Sequence, residues 1–172
     1  MGYLPPQNSV SLPVPLFPFL PLFFLFAWPL RLLYGQLLNP VENVTTQPEN
    51  PFAKLILEQQ IAIIPSFTLE SGVVLYNVPV AYTTRGRLSE NRDNALIICH
   101  ALSGSADVAD WWGPLLGGQG QAFDITRFFV VCLNSLGSPY GSASPVTNKN
   151  GDPRLERYGP EFPLTTIRDD VK

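Results

Sequence analysis

The chain has 172 residues, of which 45% are hydrophobic and 15% charged, with a formal net charge of −3. This length suits one domain or part of a larger one. Without basic clusters there is no electrostatic case for nucleic acid. A single histidine and no Cys-x-x-Cys leave a zinc site without support.

Residues 1–30 carry no charged side chain, and 12–38 are nearly all apolar, broken only by Arg31, Tyr34, Gly35 and Gln36. That length could cross a bilayer, which takes ~20 apolar residues. Pro13, Pro15, Pro18, Pro21 and Pro29 interrupt it, and each removes a backbone donor and resists a helix interior. A signal peptide would need a positive leading region, and a mitochondrial transit peptide would be rich in Arg and Ser. The reading adopted is an extension without a packed partner, so membrane contact of 12–38 is not expected. Asn43-Val44-Thr45 fits a glycosylation acceptor, a pattern common by chance. Pro and polar residues over 39–51 read as a linker. The expected organisation is therefore a poorly ordered extension and linker over 1–50 and a folded domain over 51–172.

Within the domain, 54–64 mixes apolar and polar residues and reads as a helix or lead-in closed by Pro65. Residues 67–69 and 73–76 are β-prone and flank Ser71-Gly72, a hairpin signal. Residues 78–84 alternate and are β-branched, predicting another strand, and 85–92 is a polar connection. Residues 95–99 form a continuous apolar run, as expected of a strand covered on both faces. It ends at His100 and a small-residue loop. Residues 106–116 predict a loop or short helix before Gly117-Gly118. A second doubly covered strand is predicted over 127–133. The stretch 134–163, rich in Gly, Ser, Pro and Asn, predicts a long functional loop. Thr165 or Thr166 is placed to cap a helix whose early Asp residues suit its positive end. Cys99 and Cys132 could form a disulfide on counting alone. Their positions at the ends of strand-like runs favour free thiols of an intracellular protein. Two apolar strands among mixed segments predict an α/β class, with a largely parallel sheet and an antiparallel front edge over 67–84.

Several motifs then occur in order: Leu69-Glu70-Ser71-Gly72; His100-Ala101-Leu102-Ser103-Gly104-Ser105; Asp110-Trp111-Trp112; Cys132-Leu133-Asn134-Ser135-Leu136-Gly137-Ser138-Pro139-Tyr140-Gly141-Ser142; and Tyr158-Gly159-Pro160-Glu161-Phe162-Pro163 with Thr166-Ile167-Arg168-Asp169. Over about 51–172 the chain resembles the homoserine O-acetyltransferases, the fungal form in particular. The resemblance implies the N-terminal part of an α/β-hydrolase fold. It also implies transfer of an acetyl group from acetyl-CoA to the hydroxyl of homoserine, in methionine synthesis. Such an enzyme is a cytoplasmic acyltransferase, with acetyl-CoA as co-substrate, no bound cofactor, and a homodimer in its full-length form. Acylation of serine, use of succinyl-CoA, or a non-catalytic truncated product are alternatives that the residues leave open.

Family members use a Ser-His-Asp triad in a ping-pong route, with the serine on a sharp strand-to-helix elbow. This chain contains no Gly-x-Ser-x-Gly, and the resemblance places all three triad members beyond Lys172. What remains is the oxyanion arm, with the backbone N–H of Leu102 as the expected donor. Ala101, Ser103 and Gly104 are candidate pocket residues whose small size lets the backbone approach a ligand, and Asn134 and Tyr140 are candidates beside turn roles. His100 is expected to orient the loop rather than act as acid or base. Ser103 and Ser105 have no base among these residues and are not expected to be nucleophiles. Trp111 and Trp112 are expected as anchors, Asp107 and Asp110 as caps or turn formers, and Arg168 as a surface ion-pair member. The strand over 94–99 is expected beside the elbow strand in this fold. Without that neighbour it would show an apolar edge, and the chain alone is expected to be unstable.

Overall fold

The computed structural model describes residues 41–101 and 103–172. The apolar stretch 12–38 and Leu102 lie outside the described residues. Five strands form the main sheet: β1 (Glu42–Val44), β2 (Gln60–Thr68), β3 (Val74–Arg85), β4 (Ala95–Cys99) and β7 (Phe129–Leu133). Their order is β1-β2-β3-β7-β4. Three neighbouring pairs are antiparallel, and β4 runs parallel to β7. The described strands thus supply an antiparallel front edge and one parallel pair. A small parallel sheet joins β5 (Leu116–Gly117) to β6 (Phe123–Asp124).

The hairpin between β2 and β3 lies where Ser71-Gly72 predicts it. Leu69 N–H donates to Val73 O at 2.9 Å and Gly72 N–H to Leu69 O at 2.9 Å. The turn holds Gly72 at φ +87°, a conformation that costs glycine little. The expected strands 73–76 and 78–84 are one strand. Asn77 sits between them at φ +48°, opposite Pro65, which has no N–H to offer. The register is the same on either side of this gap: Ile64 faces Val78 and Ser66 faces Tyr76.

Residues 54–64 do not form a helix beyond one 3₁₀ turn, Ala53–Leu55, and from Gln60 the chain is β2. Ile61, Ile63 and Ile64 are β-branched and favour a pleated strand. Burial of Ile61 opposite Ala81 locks the register, since a one-residue slip would turn it outward.

The segment 41–50, expected within the extension and linker, is packed. β1 pairs with β2, and Gln47 and Asn50 are buried. Gln47 Nε2 donates to Gly141 O at 2.9 Å, and Asn50 Nδ2 donates to Pro139 O at 2.8 Å. These two amides clamp the loop after β7, and sequence periodicity could not reveal them because their partners lie about ninety residues away.

Among the described residues, β4 and β7 are each packed on one face. Ile98, Val130 and Cys132 pack with Val108 of helix α1 (Val108–Trp112), with Trp111 and Phe123 against them. On the other face Ile97 is 64% exposed and Leu133 43% exposed. The apolar runs were read as doubly covered strands because composition alone does not say which neighbours are present. The long loop 134–163 is built on polar and apolar anchors: Ser142, Ser144 and Thr147 are buried, and Ala143 packs with Leu69, Leu75 and Val78. It leads to helix α2 (Ile167–Asp170), capped by Thr166. Asp169 N–H donates to Thr166 Oγ1 at 3.3 Å and Thr166 N–H returns a bond to Asp169 Oδ2 at 3.0 Å, a capping box.

Candidate functional site

The carboxyl ends of parallel strands are where open α/β sheets place their ligands. Here the ends of β4 and β7 bring His100 beside the Asn134-Ser135 corner. Ser135 N–H donates to His100 Nε2 at 3.3 Å, and His100 Nδ1 lies 2.8 Å from Ala101 O. An N–H can only donate, so Nε2 is the acceptor and the ring proton sits on Nδ1, donated to Ala101 O. His100 therefore ties the loop after β4 to the loop after β7. With both ring nitrogens committed, it is an orienting group.

The loop after β4 doubles back at once, with Gly104 N–H donating to Ala101 O at 2.8 Å. A Cβ on Gly104 would stand 3.1 Å from both Ala101 O and His100 Nδ1, so only glycine fits without displacing them. Ala101 and Ser103 are exposed and Gly104 is half-buried, leaving the outer side of this loop open. Leu102, the expected oxyanion donor, lies outside the described residues. Ser105 is buried and its Oγ accepts from Asp107 N–H at 3.2 Å, so this hydroxyl serves the start of α1. Asp107 precedes α1 but makes no side-chain capping bond, so the expected cap is not formed.

Asn134 is held on both sides of its peptide. Its N–H donates to Ala81 O at 2.8 Å, and its C=O accepts from Ser142 Oγ at 2.6 Å. The same Ser142 Oγ accepts from Ala81 N–H at 3.1 Å, closing a buried three-residue link between β3 and the loop. The Asn134 side chain is 2% exposed and its amide makes no hydrogen bond. Tyr140 is half-buried on the same loop, and no bond joins it to His100. Of the expected pocket residues, the structure thus brings together Ala101, Gly104 and, through Ser135, Asn134.

Sequence reasoning missed Ser142, Gln47, Asn50 and Asp170. Asp170 Oδ1 accepts from Leu136 N–H at 2.9 Å, so α2 braces the loop after β7. No local pattern marks any of them. Trp111 packs on the core and stands 4.6 Å from Trp112, which stacks on Phe123 at 5.4 Å; both are anchors. Arg168 pairs with Glu70 at 2.8 Å as a surface ion pair. Cys99 and Cys132 are both free. Cys132 shares a face with Ile98, so Cys99 points to the other one. Burial, with smaller effects of Cys99 and Asp107, pushes the Cys132 thiol up to about 12, which leaves it inert. Among the described residues no group of three or more His, Cys, Asp or Glu could hold a metal ion, and no helix is long and apolar enough to cross a membrane.

No family-wide profile matches the chain. Over 132 residues it is 77% identical to the homoserine O-acetyltransferase of Emericella nidulans, which covers 77% of this chain and 27% of that protein. The matched segment belongs to the homoserine O-acetyltransferase family. The chain spans about a quarter of the length of this relative. Its fold is similar to the crystal structure of homoserine O-acetyltransferase from Bacillus anthracis, with a TM-score of 0.56 and 26% identity over 65% of this chain and 33% of that one. It is equally similar to esterase E22, with a TM-score of 0.56 and 30% identity over 66% of this chain and 34% of that one. The described residues fold as part of an α/β-hydrolase sheet.

Proposed function

We propose that this chain supplies the oxyanion arm of a homoserine O-acetyltransferase and none of the atoms that attack. The observation that carries the reading is the 77% identity to the Emericella nidulans protein over 132 residues. The acyl donor is acetyl-CoA and the acceptor is the hydroxyl of homoserine. The working form is a cytoplasmic enzyme, dimeric at full length. In it a serine Oγ attacks the thioester carbonyl, CoA leaves as the thiol, and the homoserine hydroxyl takes the acetyl group from the serine. Serine, histidine and aspartate of that triad come from polypeptide outside these 172 residues.

The charge that develops on the carbonyl oxygen needs preorganised donors, each worth roughly 10²–10³ in turnover. Leu102 N–H is the donor assigned to this chain. Its surroundings support the reading. Ala101 O, a carbonyl that would repel an oxyanion, is already engaged by Gly104 N–H and by His100 Nδ1. Ser103 and Gly104 leave room for a ligand beside the loop.

The test is release of CoA thiol from acetyl-CoA and homoserine by the purified 172-residue chain. The expected rate equals the blank, and activity returns when the chain replaces the matching segment of the Emericella nidulans enzyme. Turnover by the chain alone, or a side chain in it carrying a covalent acetyl group, would overturn the proposal.

A further inference from the structure

The peptide that joins Asn134 to Ser135 is held at both ends. Its C=O accepts from Ser142 Oγ at 2.6 Å, and its N–H donates to His100 Nε2 at 3.3 Å. A planar trans peptide directs these two groups to opposite sides, so one rigid unit spans the gap between Ser142 and His100. The donor and acceptor roles along this line are forced. Ala81 N–H can only donate, so Ser142 Oγ accepts from it at 3.1 Å and gives its own proton to Asn134 O. His100 then accepts at Nε2 and donates from Nδ1 to Ala101 O at 2.8 Å. Ser142 and Ala81 are fully buried and Asn134 is 2% exposed, so solvent does not reach the inner bonds. The outermost bond, from Ser135 to His100, is longer than the ~2.7–3.2 Å usual for an N–H donor. It therefore depends most on how the peptide is tilted and polarised.

We infer that Ser142 is a positioning residue for the oxyanion arm and acts through His100. Two effects carry this. A bond accepted at a C=O polarises the amide and strengthens donation from its N–H, so Ser142 tightens the bond that Ser135 makes to the ring. The other effect is directional. Anchored to β3 through Ala81, Ser142 fixes the plane of the peptide and hence the line along which Ser135 N–H meets Nε2. Which imidazole nitrogen keeps the proton is set by the bond the other one makes. Neutral histidine free in water carries its proton mainly on Nε2, so the Nδ1–H form has to be imposed. Once imposed, it lets the ring donate to Ala101 O and hold the loop from Ala101 to Gly104, on which Leu102 lies. In the opposite tautomer two acceptors, Nδ1 and Ala101 O, would face each other across 2.8 Å and push the loop away. Burial of a serine does not by itself produce such a link: Ser144 is as buried as Ser142, and its hydroxyl has no partner. The consequence for turnover rests on the transferase reading, whereas the state of the ring does not.

His100 is the only histidine in the 172 residues, so long-range proton–nitrogen NMR of the full chain at about pH 8 reads its ring without ambiguity. Nδ1 is expected to resonate as a protonated nitrogen and Nε2 as a bare one. In Ser142→Ala the two signals are expected to converge as the tautomers mix. Ser144→Ala removes an equally buried but unbonded hydroxyl and is expected to leave both signals in place. An Nε2–H ring in the unsubstituted chain would overturn the inference, and that reading needs no variant to fold. Signals that Ser142→Ala leaves unchanged, or that Ser144→Ala moves as far, would overturn it too. In the Emericella nidulans enzyme carrying this chain in place of its matching segment, Ser142→Ala is expected to lower kcat about 10-fold with KM nearly unchanged. That is short of the ~10²–10³ lost with a whole donor. Converged signals with kcat unchanged would overturn the positioning role. An unsubstituted chimera without turnover would count against the transferase reading instead, and the ring signals would still decide whether Ser142 sets the state of His100.

Discussion

Gly141→Ala tests how the loop after β7 is held. Gly141 lies at φ +116°, outside the conformations that side-chain-bearing residues adopt readily. A Cβ there would stand 2.8 Å from Ala81 Cβ and 2.9 Å from Gln59 Nε2. Neither neighbour can yield. Ala81 Cβ is fixed by the backbone of β3, and Gln59 Nε2 is held by its bond to Ala53 O at 3.1 Å. The conformational cost is about 1–2 kcal/mol and the overpacking cost about 1–3 kcal/mol. The expected destabilisation is therefore about 2–5 kcal/mol, a large share of the ~5–15 kcal/mol of a typical domain. Gly72→Ala separates the two contributions. Gly72 has φ +87° but nothing within 4 Å of its missing Cβ, so only the conformational cost of about 1 kcal/mol applies. Urea unfolding followed by the fluorescence of the half-buried Trp111 measures both. A loss at Gly141 no greater than at Gly72 would refute the steric argument. It would also mean that the Gln47 and Ser142 contacts flanking this glycine do not hold the loop rigidly.

Ser142→Ala removes the hydroxyl bonded to both Ala81 N–H and Asn134 O; leaving these buried groups unpaired is expected to cost about 1–3 kcal/mol in the same urea assay. Asp169 gives a pH dependence. Burial raises its carboxyl, but the N–H groups of Thr166 and Glu70, with Lys172 Nζ, outweigh burial and hold it below the ordinary carboxylate range. The folded state thus binds this proton more weakly than the unfolded one. Its stabilisation is complete above the unfolded pKa of about 3.9 and is lost as pH falls through the folded value. In urea midpoints measured from pH 6 to pH 2, Asp169→Asn is expected to flatten the acid limb. Iodoacetamide at pH 8 is expected to add one label, at exposed Cys99 and not at buried Cys132, as read by peptide mass spectrometry of the folded chain.

The sequence by itself determined the local and the chemical. The Ser71-Gly72 turn, the apolar runs of β4 and β7, a threonine cap at 165 or 166 and the small-residue loop after His100 follow from short-range rules of backbone geometry and side-chain polarity. The ordered motifs also carried the family resemblance. Tertiary structure alone decided the rest. Residues 54–64 read as helix or lead-in until burial of Ile61 opposite Ala81 selected a strand. The segment 41–50 read as linker until Gln47 and Asn50 found carbonyls about ninety residues later. Among the described residues the strands expected to be covered twice are packed on one face, because an apolar run reports that a residue can be buried and not which neighbour buries it. His100 was legible as an orienting residue, yet its bond to Ser135 was not, since the two meet only when β4 and β7 lie side by side. Periodicity encodes contacts within a turn or a strand, whereas contacts between distant segments exist only once the sheet order is set.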